Sequence, residues 1–262
     1  MDKYFGRTEL VLGSDGMNKL KDARIALFGL GGVGSFAFEA LVRSGVGYIQ
    51  VTDFDKVSSS NFNRQLLALH SSEGIQKVEV AKKRAEDINP NVVINAHAEF
   101  FHIETADDLL SSDINFVIDA IDSVGPKTEL LYQCTQRKIP VITSMGASAR
   151  TDPTLVRIGS LWQTTNCPLA RAIRRNLRKR GVNADITAVY SIEDSLDTYS
   201  PEEINEQPDF SFERGRKRRV LPSMGILPGI MGLMLANYVI LQLSGYKPQI
   251  EIYCVKDNED LL

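Results

Sequence analysis

The sequence predicts an α/β protein, a doubly wound and mostly parallel sheet continued by a C-terminal substrate-binding portion. Three observations point there. Short apolar runs alternate with stretches of helical periodicity, as strands linked by crossover helices require. A glycine-rich turn, Gly29-Leu30-Gly31-Gly32-Val33-Gly34, directly follows the first of those runs. The chain, at 262 residues and 43% apolar, is long enough for one large domain.

Taken in order, the first strand is expected over 25–28. Behind it, Gly29 allows a tight turn, Gly31 lets the backbone approach a phosphate, and Gly34 lets the helix over 33–44 pack on the sheet. Gly32 completes the cradle. Unpaired N–H groups at that helix start, reinforced by the helix dipole, attract anionic oxygens. The second strand, 49–53, ends on Asp53, whose carboxylate can accept ribose hydroxyl hydrogens. To this point NAD and ATP fit equally well.

A polar series then follows: Asp53-Phe54-Asp55, Asn61-Phe62-Asn63-Arg64-Gln65 and Lys77. Lys77 opens a helix over 77–89 whose buried stripe is expected to be Ile75, Val78, Ala81, Ala85 and Ile88, leaving Lys77 beside the stripe and free to face a ligand. Strands are expected over 92–98, 116–119 and 141–144, with a helix over 126–138. Asp122 sits just past the carboxyl end of the fourth strand, in the crevice where doubly wound sheets bind ligands.

Charge balance separates the two nucleotides. A dinucleotide pyrophosphate can be held largely by backbone N–H groups, whereas a triphosphate needs cationic side chains and a metal. Arg64 and Lys77 offer the cations, and Asp122 offers a carboxylate for Mg²⁺. The ordered series therefore points to ATP that activates a carboxylate.

After Met145 the pattern changes. Strands over 155–161 and 186–190 flank a basic helix, Pro168 to Arg180, and 191–220 reads as a polar, irregular loop without periodicity. Residues 1–262 are read as one continuous domain, with 1–147 the nucleotide-binding half and 148–262 the substrate-binding half. In the basic helix Arg171, Arg174, Arg175, Arg178 and Lys179 fall within an arc of roughly 140°, opposite Leu169, Ile173 and Leu177. A second basic group, Arg214, Arg216, Lys217, Arg218 and Arg219, follows Phe210 and Phe212. The net charge is -3, so contact with a polyanion such as RNA must come from these local clusters. Trp162 is a candidate for stacking on a base.

Three cysteines without a CxxC pair argue against a disulfide scaffold or a four-cysteine zinc site, and suit a reducing cytoplasm. Cys134 is expected in the core, Cys254 in a strand-like run, and Cys167 at the start of the basic helix, where the dipole favours a thiolate. His70, His97 and His102 lack ligand spacing. No export signal is visible at the N-terminus. The nearly uncharged stretch over 220–243 has the length of a membrane span, but its prolines and glycines make it read as a buried helix starting near Gly229.

These residues carry a resemblance. The glycine cradle, Asp53-x-Asp55, Asn61-x-x-Arg64-Gln65, the Lys77 helix ending Ile88-Asn89-Pro90, and Asp122 resemble the adenylation domain of the ubiquitin-activating-type superfamily, to which ThiF and MoeB belong. Three further segments resemble the branch of it that dehydrates threonylcarbamoyladenosine in tRNA: Phe5-Gly6-Arg7-Thr8-Glu9-Leu10, Met145-Gly146-Ala147 leading to Asp152-Pro153, and Pro168-Leu169-Ala170-Arg171. The resemblance implies a Rossmann-like adenylation fold that transfers AMP from ATP to the threonine carboxylate beside the anticodon, followed by ring closure within the same side chain.

It further implies that Asp53 holds the ribose, that Asn61, Arg64 and Lys77 hold the phosphates, that Asp122 holds Mg²⁺, and that Asp55 orients the phosphate-side network. Arg7 matches an arginine that reaches the nucleotide from a neighbouring subunit, which implies a homodimer, and a sulfur-relay protein is a further partner the resemblance admits. Ser148-Ala149-Arg150 and Cys167 depart from the branch's usual residues on the substrate side. Three alternatives remain open at this level. They are adenylation of a ubiquitin-like sulfur carrier, whose enzymes usually bear two zinc CxxC pairs that this chain lacks, an NAD-dependent oxidoreductase, and an ATP-gated scaffold.

Overall fold

The computed structural model of the chain describes residues 3–194 and 221–247. Seven strands form one sheet: β1 (Arg24–Phe28), β2 (Tyr48–Thr52), β3 (Val93–His97), β4 (Phe116–Asp119), β5 (Val141–Ser144), β6 (Val156–Ser160) and β7 (Thr187–Ser191). Their order is β3-β2-β1-β4-β5-β7-β6, and every neighbouring pair is parallel except β6 with β7. The chain adds β2 and β3 to one side of β1 and β4 and β5 to the other, and that switch in strand order creates the crevice at the carboxyl ends where ligands of such sheets bind.

The helices are α1 (Gly6–Asp22), α2 (Gly34–Arg43), α3 (Lys77–Ile88), α4 (Ala106–Leu109), α5 (Val124–Arg137), α6 (Pro168–Lys179) and α7 (Ile226–Ser244). Alternating strand residues feed two faces. Ile25, Leu27, Ile49, Val51 and Ile118 bury against Phe38 and Leu41 of α2 and Leu235 and Val239 of α7, while Ala26, Phe28 and Val117 bury against Leu109, Leu130 and Cys134. A third cluster seats α6 on the sheet through Ala170, Ile173 and Leu177 against Leu161, Ile186 and Ala188. Burial on both faces explains the near-continuous apolar runs of the central strands.

The structure adds one element to the sequence expectations and changes others. Helix α1 was not anticipated: it buries little more than Met17 and Leu20, and Gly13 at φ +72° interrupts it, so its apolar periodicity is weak. Ile75 lies ahead of α3 and is 46% exposed, so the buried stripe consists of Val78, Ala81 and Ala85 with Ile88 packed at its edge. Ser191 belongs to β7 rather than to a loop, and Ile192 and Glu193 continue in hydrogen bonds to the 151–155 segment. The remainder of the expected loop, including Arg214, Arg216, Lys217, Arg218 and Arg219, lies outside the described residues, as does Cys254.

Helix α7 starts at Ile226, three residues before the expected Gly229. It is the one helix among the described residues long and apolar enough to cross a membrane, yet half of its apolar window is buried inside the protein. The reason is its approach to α2: a Cβ on Gly232 would lie 2.2 Å from the Val33 carbonyl oxygen, and one on Gly229 would press on the Phe36 ring at 3.3 Å. At position 232 only glycine permits that approach, and a helix apolar all round then belongs in the core.

Candidate functional site

The site begins with the glycine turn between β1 and α2. Gly29 adopts φ +91°, and a Cβ there would meet the Ala120 carbonyl oxygen at 2.8 Å. A Cβ on Gly34 would fall 1.8 Å from the Gly29 oxygen. These two glycines are therefore demanded by the turn itself. Gly31 differs: nothing lies within 4 Å of the place its Cβ would occupy, so its lack of a side chain keeps space open over the helix start. Gly32 is backed by Arg64 Cγ and Pro228 Cβ, which would stand 3.4 and 3.3 Å from a Cβ there.

Asp53, immediately after β2, binds this turn directly. One carboxylate oxygen accepts the Leu30 N–H at 2.6 Å and the other accepts the Asp55 N–H at 2.8 Å. Burial pushes its carboxyl upward, opposed by nearby Lys77 and reinforced by the charge of Asp55. Each oxygen retains a second lone-pair site, so ribose hydroxyls can still donate to it.

Lys77 does not stand free. Its side chain is buried, with Nζ 2.9 Å from Asp55 Oδ2 and 4.0 Å from Asp53 Oδ1, and its N–H donates to the Asp55 carbonyl. The helix stripe alone gave no hint of this, because Asp55 comes from the loop after β2. Two carboxylates thus hold the ammonium near the Leu30 N–H and the cradle.

Asn61, Arg64 and Gln65 follow on a short turn. The Asn61 side chain accepts the Ser58 N–H at 3.2 Å, and the Arg64 guanidinium donates to the Ser60 carbonyl and to the Asn63 side chain, both at 2.8 Å. Gln65 is buried. Asn63 also donates to the Ser223 carbonyl, and the Ala149 N–H, at φ +57°, donates to that of Pro222, so residues 222–223 tie the Arg64 turn to the end of β5.

Asp122 is exposed beyond β4, on the turn that abuts Gly29, and accepts the Ser123 hydroxyl at 3.2 Å. Among the described residues no cluster of three or more His, Cys, Asp or Glu is placed to hold a metal ion. A single carboxylate at this place nonetheless suits Mg²⁺, which takes one or two protein carboxylates and completes its octahedron with waters and phosphate oxygens.

Two further groups, whose roles the sequence does not reveal, frame the site. A fully buried ion pair joins Lys127 of α5 to Asp119 at the end of β4, with Nζ 2.9 Å from Oδ2. Buried Arg150 donates to the carbonyls of Gly146, Ser148, Asn166 and Glu193, binding the loop after β5 to the start of α6 and the end of β7. Neither spacing is a recognised signal, because the contacts depend on how the turns after β4 and β5 fold rather than on helix or strand periodicity.

Arg7 stands apart. It is exposed on α1, beside Ser44 at the far end of α2 and Leu241 near the end of α7. The ten residues of α2 separate that end from the glycine cradle by about 15 Å.

Helix α6 presents Arg171, Arg175, Arg178 and Lys179 to solvent. Arg174 leaves the ridge expected for it: its guanidinium donates to the carbonyl and hydroxyl of Thr164. Trp162 is half-buried, donates to the Ala184 carbonyl at 3.0 Å, and carries the Arg178 guanidinium over its ring at 5.2 Å. Cys167 caps α6, its Sγ accepting the Ala170 N–H at 3.4 Å, and is buried. Cys134 lies in the core, where burial pushes its thiol upward.

Comparison with known proteins covers almost the whole chain. The ThiF family model matches residues 5–257. The tRNA threonylcarbamoyladenosine dehydratase of Bacillus subtilis is 38% identical over 255 residues, spanning 97% of this chain and 98% of that protein. Crystal structures of the Escherichia coli tRNA N6-threonylcarbamoyladenosine dehydratase, TcdA, in complex with AMP and with ATP give TM-scores of 0.82 and 0.81 at 30% identity, over 93% of this chain and 94% of theirs.

Proposed function

The chain belongs to the ThiF family, and from that premise we propose that it is an ATP-dependent tRNA threonylcarbamoyladenosine dehydratase. One observation carries the reading: the glycine cradle, Arg64, the Asp53–Asp55–Lys77 cluster and Asp122 converge at the carboxyl ends of the parallel strands of one sheet whose other half displays the basic ridge of α6.

In this reading the backbone N–H groups at the start of α2 receive phosphate oxygens, and Asp53 orients the ribose. Arg64, with Lys77 shared from its carboxylate partners, offsets negative charge that builds on the α-phosphoryl oxygens and the departing pyrophosphate, an electrostatic form of catalysis. Asp122 would hold Mg²⁺, which when bound neutralises phosphate charge. The threonine carboxylate attacks the α-phosphorus, and pyrophosphate leaves. A nitrogen or oxygen of the same modified side chain then attacks the activated carbonyl, releasing AMP and closing a ring with net loss of water. The internal nucleophile gains proximity without an enzyme thioester, which suits a chain whose described cysteines are both buried.

Arg171, Arg175, Arg178 and Lys179 supply phosphate contacts for the tRNA. The remoteness of Arg7 from its own cradle supports a homodimer in which that residue serves the partner's site. A cytoplasmic location, and a sulfur-relay protein as a partner, complete the proposal. The test is mass spectrometry of the nucleoside released from threonylcarbamoyladenosine-bearing tRNA after incubation with ATP and Mg²⁺. The expected product is lighter by one water, with AMP and pyrophosphate formed in equal amounts. An unchanged nucleoside, with pyrophosphate released instead on adding a ubiquitin-like sulfur carrier, would overturn it.

A further inference from the structure

The Lys127–Asp119 pair is chemically out of place as a source of stability. Both side chains are completely buried, and removing two charges from water costs about as much as their attraction returns, so apolar residues of similar volume would serve a core equally well. The hydrogen bonds show where the pair acts. Asp119 Oδ1 accepts the Ile121 N–H at 3.0 Å, and Oδ2 accepts the Thr143 hydroxyl of β5 at 2.7 Å. Lys127 Nζ donates to the Ile121 carbonyl at 2.8 Å. The amide and the carbonyl of the residue just before Asp122 are thus both held by one buried salt bridge. From the other side, the Ala120–Ile121 backbone lies against Gly29 so closely that a Cβ there would not fit.

We infer that Lys127 and Asp119 are positioning residues that set the carboxylate of Asp122 at a fixed distance from the glycine cradle. The inference rests on the reading of Asp122 as the Mg²⁺ carboxylate. Oxygen-ligated Mg²⁺ tolerates little departure from octahedral geometry, so a single protein ligand is effective only when its turn is rigid. The ammonium is suited to the task because it donates to a carboxylate and a carbonyl at once, which no apolar replacement can do.

Two measurements on the whole chain test this. Hydrogen exchange of the peptide covering 120–123 reads the rigidity of the turn, and Mn²⁺ titration by electron paramagnetic resonance, with a non-hydrolysable ATP analogue bound, reads the metal site. The variants are Lys127→Met, the charge-balanced pair Asp119→Asn with Lys127→Met, and Asp122→Asn. The double variant retains an acceptor for Thr143 and removes the orphaned buried charge, so it folds even if Lys127→Met does not.

Exchange at 120–123 is expected to rise in the Lys127 variants, with Mn²⁺ bound about tenfold more weakly, the scale on which support of a metal ligand acts. Asp122→Asn is expected to bind Mn²⁺ more weakly still while its turn exchanges like the parent. Parent-like exchange in the double variant, or parent-like Mn²⁺ affinity in it where Asp122→Asn loses the ion, overturns the role of Lys127. Parent-like Mn²⁺ affinity in Asp122→Asn instead overturns the metal reading, and the inference built on it.

Discussion

Lys77 Nζ lies 2.9 Å from Asp55 Oδ2, in a pocket where the lysine is nearly sealed from solvent and the aspartate is about one-third exposed. A cation held this way stands beside the glycine turn rather than inside it, and in the proposed reading its strength as a phosphate ligand depends on how readily Asp55 shares it. Lys77→Ala leaves Asp53 and Asp55 facing each other without a counter-charge. We expect it to lose at least about 100-fold in ATP-dependent pyrophosphate release, on the scale of removing one transition-state donor. Chemical denaturation should show a loss of about 2 kcal/mol, below the range for fully buried pairs because Asp55 is partly solvated. The Lys77→Ala, Asp55→Ala double variant should recover part of that stability but none of the activity, a coupling that a double-mutant cycle measures.

The glycines of the cradle separate folding from binding. In Gly34→Ala the new methyl collides with the Gly29 carbonyl, so the variant should melt several degrees lower or fail to fold. In Gly31→Ala the methyl enters open space, so the melting temperature should match the parent while ATP, measured by calorimetry, binds at least about tenfold more weakly because backbone N–H groups can no longer approach the phosphates. Equal ATP affinity in Gly31→Ala would show that the phosphates lie elsewhere.

Asp53 gives the fold a pH dependence with a definite sign. Burial raises its carboxyl above the ordinary 3.8, so between that value and the raised one the folded chain binds more protons than the unfolded chain. Its contribution to stability is complete below 3.8 and is lost as pH rises through the raised value. Measured from pH 4 to 7, the melting temperature of the parent relative to Asp53→Asn should therefore fall with rising pH. A flat difference would show that the Lys77 charge balances burial, and a rising one that it outweighs burial.

On α6, exposed arginines and the inward-turned one should behave differently. Each of Arg171→Ala, Arg175→Ala and Arg178→Ala should weaken tRNA binding and reduce the slope of log affinity against log salt by about 0.7 to 0.9, with little change in melting. Arg174→Ala should instead lower the melting temperature, because the Thr164 carbonyl loses its donor.

If Arg7 serves the neighbouring subunit, inactive Arg7→Ala and inactive Lys77→Ala chains should complement when mixed. Half of the dimers would then carry one intact site of two, restoring about one quarter of parent activity. No recovery after subunit exchange would confine each site to one chain.

The alternation of strands and helices, the turn at 29–34, and the positions of Asp53 and Asp122 at strand ends were legible because each depends on residues close in sequence. Periodicity reports burial, and glycine reports backbone conformation. Helix α1 escaped notice for the same reason, since Gly13 breaks a stripe that amounts to little more than Met17 and Leu20.

By itself, then, the chain's order of residues determined the mostly parallel sheet, the glycine turn and the set of charged groups that follow it. Only the tertiary structure decided their states: that Lys77 is shared by two carboxylates, that Arg174 turns in to Thr164, and that a buried Lys127–Asp119 pair grips the turn before Asp122. Those outcomes depend on how turns and helix starts are folded against the sheet, which brings together side chains that share no helical or strand spacing. Electrostatic energy varies with distance and burial, and neither is written in sequence spacing.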